Sequence, residues 1–87
     1  MNPGSEQLIQ RLKALADPVR LRLVALCGAA ECSVSELTQV TGLSQPRVSQ
    51  HLKALIDADL LERFRDGHFV YYRVPASGRD VAARRRL

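Results

Sequence analysis

The chain has 87 residues, 46% hydrophobic and 25% charged, enough for one soluble domain and too few for two. No run approaches the roughly 20 apolar residues of a membrane span. The first residues, Met1 to Leu12, lack the basic-then-apolar pattern of a secretory signal, so the cytoplasm is the expected location. The formal charge of +4 is unevenly placed: residues 1–43 sum to zero, residues 44–78 to +1 and residues 79–87 to +3. Most of the excess is a C-terminal arginine cluster, so bulk charge says little about a nucleic-acid partner and placement says more.

Glu6 to Ala16 reads as a first helix, with Leu8, Leu12 and Leu15 on one stripe and Ile9 and Ala16 beside it. That stripe suits core packing alone, or packing partly on a second subunit, which so short a chain leaves room for. Asp17-Pro18 restarts the chain: Asp caps, and Pro takes the first helical position, where no donor is needed. The second helix, Pro18 to about Cys27, carries Val19, Leu21, Leu23, Val24, Leu26 and Cys27 nearly all round. Only Arg20 and Arg22 require water, so this helix is expected to be central and buried, and Gly28 to end it.

Ser33-Val34-Ser35-Glu36 is a capping box, in which Ser33 and Glu36 satisfy each other's backbone donors. A short third helix follows, expected to bury Leu37 and Val40, with Gly42 closing it in the left-handed conformation. Leu43 plugs the turn, and Ser44 caps a fourth helix reaching about Ala58, with Pro46 in its first turn. Val48, Leu52, Leu55 and Ile56 form one apolar face of that helix. Pro46, Ser49, Gln50 and Lys53 fall opposite, with Arg47 on one flank. Gln pairs with adenine, Arg with guanine, Ser with several bases, and Lys neutralises phosphate, so this face fits a DNA major groove. Two helices, a tight glycine turn and an outward polar face make a helix-turn-helix.

Beyond Ala58 the period changes from helical to alternating. Leu60 to Arg65 and Phe69 to Val74 are two β-rich runs, and Asp66-Gly67 between them favours a tight reversal. A hairpin beside a helix-turn-helix is a wing, with Arg65-Asp66-Gly67-His68 at its tip. The fold class is therefore mainly α with a small β-hairpin: helices over residues 6–58, a wing over 59–75, and the start of a possible C-terminal helix over 76–87.

These pieces together resemble the ArsR/SmtB family of winged-helix repressors. The resemblance is carried by Leu12 to Arg22, Ser33 to Leu37, Leu43 to Lys53 and Gly67 to Arg73, and it spans residues 8–75. It implies a homodimer, paired through its N-terminal and C-terminal helices, that binds a palindromic operator in its own promoter until an inducer releases it. By position, Gln45, Arg47, Ser49 and Gln50 look like base and phosphate contacts. Ser44, Lys53, Arg65 and His68 look like supporting phosphate contacts, and Pro46, His51 and Gly67 belong to the same candidate set. His51, on the border of the apolar face, suits packing or a phosphate bond.

The resemblance departs at the inducer site. Arsenic- and lead-sensing members carry Cys-Val-Cys where this chain has Ser33-Val34-Ser35, and hydroxyls do not replace thiolates for soft metals. Zinc-sensing members use His, Asp and Glu on a C-terminal helix, where this chain offers only Asp80. No metal site and no cofactor are expected. Cys27 and Cys32, five residues apart, could meet as a thiol pair, giving an arsenite chelate or a disulfide switch; the alternative is a core thiol and an incidental one. Residues 79–87 read as a helix cut off midway, as in the DNA-reading module of a longer protein such as a methyltransferase fusion. No phosphate loop, metal cluster or nucleophile–base set suggests an enzyme.

Overall fold

A computed structural model describes residues 3–76. In chain order it contains α1 (Pro3–Leu15), α2 (Pro18–Ala29), β1 (Cys32–Ser33), α3 (Val34–Thr41), α4 (Gln45–Asp57), β2 (Glu62–Asp66) and β3 (Phe69–Arg73). This is the winged helix-turn-helix that the pattern implies. The expected C-terminal helix over residues 76–87 lies, Ala76 aside, outside the described residues.

The helices start and stop where short polar side chains compete for backbone donors. Asp17 Oδ1 accepts from the N–H groups of Val19 at 2.8 Å and Arg20 at 3.2 Å. Those bonds, the one from Arg20 foremost, hold its carboxyl below the usual range. Ser33 Oγ accepts from Glu36 N at 3.2 Å while Ser33 N donates to Glu36 Oε1 at 2.9 Å, completing the capping box. Gly42 closes α3 at φ 74°, a conformation that costs other residues free energy. Ser44 Oγ then accepts from Arg47 N at 3.4 Å and opens α4.

Four expectations about the helices change. Gly28 does not end α2, which runs on to Ala29 and is capped by Ala30 in an extended conformation. Nothing at Gly28 demands a left-handed turn, and a Cβ there would meet Val74 Cγ2 at an ordinary 3.6 Å. Nor is α2 buried all round: Leu23 is 0% exposed and Cys27 3%, whereas Leu21 is 55% exposed. Neighbours α1, α4 and β3 cover part of its circumference and leave the Leu21 side open. α3 buries Leu37 but leaves Val40 52% exposed, because only its inner stripe meets α4. The helix α1 also begins at Pro3, ahead of the expected Glu6.

The sheet has a strand that periodicity misses. Its order is β1-β3-β2, all antiparallel, with Cys32 opposite Tyr72 and Ser33 opposite Tyr71. The hairpin turn is Gly67-His68, one residue later than expected, since Asp66 pairs with Phe69. Gly67 sits at φ 64° and His68 is not left-handed, the pattern of a type II′ turn. Leu60 and Leu61 precede the strand, and Leu61 joins Leu23, Leu37, Val48, Leu52 and Leu55 in the core.

Between α4 and β2 the chain turns on Asp59, at φ 59°. Asp59 N donates to Ile56 O and Leu60 N to Leu55 O, each at 2.9 Å, which is a Schellman closure with aspartate where glycine is usual. An L side chain pays a steric cost there. Asp59→Gly is expected to raise stability by about 0.5–1 kcal/mol, read as a higher urea midpoint at unchanged slope.

Candidate nucleic-acid interface

Burial of one face of α4 dictates what the other presents. Val48, Leu52 and Leu55 are at most 1% exposed, locking the helix against α2 and α3. Gln45, Pro46, Arg47, Ser49, Gln50 and Lys53 are consequently all exposed, as is the cap Ser44. Arg47 makes no ion pair among the described residues. Lys53 Nζ lies 3.0 Å from Asp57 Oδ2, one turn on. With both side chains more than half exposed, that bond is worth a few tenths of a kcal/mol, so the ammonium is easily redirected.

The wing supplies a second, separate set. Arg65, Gly67 and His68 are exposed at the hairpin tip. Its base is stiffened by Phe64 stacked on Tyr71, centroids 5.8 Å apart, and by the Arg73 guanidinium 4.1 Å over the Phe64 ring. Arg73 also bonds Glu62 at 2.6 Å and Glu31 at 3.2 Å. Tyr72 is buried, so the tyrosine pair serves packing, as its alternation in the strand suggests.

His51 stands apart from the exposed set. It is half-buried, and its Nδ1 accepts from Arg20 Nε at 3.1 Å, joining α2 to α4 across 31 residues. The sequence pattern assigns Arg20 only to solvent, and no local signal marks the pairing.

Cys27 and Cys32 are both free thiols, and Cys32 is near enough to help raise the Cys27 thiol. Cys32 Sγ also lies 3.2 Å from Ala30 O. Burial, aided by the neighbouring Cys32, pushes the Cys27 thiol up to about 12. Burial and the Glu36 charge raise Cys32 as well. The thiolate is the reactive form, so both are poor nucleophiles near neutrality. Because the folded value of Cys27 exceeds the unfolded one of 9.0, its contribution to stability is complete below about pH 9 and is lost as pH rises toward 12. Urea titrations at pH 8 and pH 10.5 are expected to show that loss, reduced in Cys27→Ala. Among the described residues no group of three or more His, Cys, Asp or Glu could hold a metal ion.

A family model described as a helix-turn-helix domain matches residues 15–63. The solution structure of a homodimeric winged helix-turn-helix domain from Mycobacterium bovis, a possible ArsR-family regulator, superposes with a TM-score of 0.76 at 35% identity, covering 90% of this chain and 70% of that one. The transcriptional regulator YgaV of Escherichia coli is 36% identical over 75 residues, 85% of this chain and 76% of YgaV. This chain belongs to the ArsR/SmtB family. A probable mercury resistance operon repressor from Streptomyces lividans is 42% identical over 62 residues, 71% of this chain; the match spans 50% of that repressor. The chain carries the helix-turn-helix domain of that family. Among the described residues no helix is long and apolar enough to cross a membrane.

Proposed function

We propose that this chain is an ArsR-type repressor that acts as a homodimer on a palindromic operator in its own promoter and is released by an inducer. Each protomer lays α4 in a major groove, with the two helices about 34 Å apart, and sets its wing against the adjacent backbone or minor groove. Gln45, Arg47, Ser49 and Gln50 meet base edges and phosphates. Ser44, Lys53, Arg65 and His68 hold the backbone, while Gly67 lets the wing tip turn closely. The observation that carries this reading is the continuous exposed polar face of α4. For the dimer, support comes from Leu8 at 57%, Ile9 at 39% and Leu12 at 58% exposure on α1, a stripe left open in the single protomer. The homodimeric relative from Mycobacterium bovis points the same way. The partner contribution of a C-terminal helix falls on residues outside the described ones, and the cytoplasm is the proposed location.

The test is fluorescence anisotropy on the duplex upstream of the protein's own gene, across a salt series and against a scrambled duplex. Preference for the upstream duplex with a steep salt dependence supports the reading. Equal binding to both duplexes, or none, overturns it, and sedimentation of the same sample tests the dimer.

A second reading, a thiol- or arsenite-responsive sensor, is favoured by the proximity of Cys32 to Cys27. It requires that arsenite or peroxide release DNA from the wild type but not from a Cys27→Ser, Cys32→Ser double variant.

A further inference from the structure

The bond between Arg20 and His51 fixes more than a distance. A guanidinium only donates, so the imidazole nitrogen that receives its N–H carries no proton. His51 Nδ1 is that nitrogen, 3.1 Å from Arg20 Nε. In the neutral ring the remaining proton therefore sits on Nε2, which becomes a donor. His51 lies one helical turn after Arg47 on the same flank of α4, next in sequence to Gln50 on the exposed face. The carboxylate facing the pair is Asp17. Its Oδ1 already accepts from the N–H groups of Val19 and Arg20, so it remains the cap of α2. Arg20 makes no ion pair among the described residues, although it is half-buried. A flank with two such arginines, an imidazole and one committed carboxylate attracts an anion.

We propose that Arg20 and His51 form a single phosphate clamp beside the reading helix, in which Arg20 sets the tautomer and His51 Nε2–H donates to a DNA backbone oxygen. The proposal rests on the DNA reading above and adds Arg20, from outside the helix-turn-helix, to the contact surface. A buried positioning role for His51 alone would tie α2 to α4 without touching DNA. The two differ in the salt dependence of Arg20→Ala, because withdrawing a cation from a phosphate lowers the slope of log affinity against log salt by about one.

The experiment repeats the anisotropy salt series with Arg20→Ala, His51→Ala, the double variant, His51→Asn and His51→Gln. Circular dichroism melting is run on each. Arg20→Ala and His51→Ala are each expected to weaken operator and scrambled duplex alike, roughly tenfold, with a salt slope lower by about one in Arg20→Ala and nearly unchanged in His51→Ala. The double variant is expected to be much less than additive, since the two act as one unit. His51→Gln, whose amide reaches as far as Nε2, is expected to recover part of the loss. His51→Asn, which keeps an acceptor for Arg20 but stops short of the phosphate, is not. Unchanged affinity in folded variants overturns the clamp, as does rescue by Asn and not Gln, or a lower melting temperature in Arg20→Ala with the wild-type slope. A wild type that binds no duplex would instead sink the DNA reading itself.

Discussion

Leu23→Ala is expected to lower the melting temperature by roughly 12–24 °C, the largest single-residue effect on this fold. Leu23 is 0% exposed at the middle of α2, the helix that touches α1, α4 and β3. Truncating a leucine there loses its transfer free energy and leaves a cavity that three neighbours, each pinned elsewhere, cannot close. Such changes cost about 3 kcal/mol or more, and a domain of this size shifts by about 4–8 °C per kcal/mol. Leu21→Ala, two residues away and 55% exposed, is the control and should cost less than about 1 kcal/mol. Thermal unfolding followed by far-ultraviolet circular dichroism reads both. Equal losses would mean that the two sides of α2 are equally covered in solution, contrary to the packing described.

The second large effect concerns recognition. Arg47→Ala is expected to cost about 1–3 kcal/mol of operator affinity, and to relax preference at a single base position. Arg47 donates its backbone N–H to the Ser44 cap, which the substitution retains, so folding should be unaffected. Its guanidinium is exposed and makes no ion pair among the described residues, leaving its side-chain donors available to DNA. Binding to a panel of operator duplexes with single base changes makes the measurement. A loss of equal size on every duplex would reassign Arg47 to phosphate.

Much of this molecule is legible in the linear chain because its boundaries are local. Asp17, Ser33 with Glu36, Gly42 and Ser44 each act within four residues of themselves, and each appears where its chemistry predicts. Features that depend on distant partners are not readable in this way. The strand β1 exists only because Tyr71 and Tyr72 come to lie beside Ser33 and Cys32. Leu21 and Val40 are exposed because a run of apolar residues does not say how many neighbours will cover it. The hairpin turn lies one residue on because Asp66 and Gly67 both tolerate left-handed backbone, so composition alone does not choose between adjacent registers. Among candidate contacts, exposure of the α4 face follows from its apolar periodicity. Arg20 is invisible as a contact because its partner lies 31 residues on.

The position of Ser33 has a mechanical consequence. This one residue is the last of the strand β1 and the cap of α3, so sheet and helix-turn-helix join with no slack between them. A hinge needs residues whose dihedral angles are free to swing, and here both neighbours are committed to hydrogen bonds. The sheet and α3 therefore meet at a stiff joint. On the proposed DNA reading, a signal that released the protein would move the sheet and α3 together.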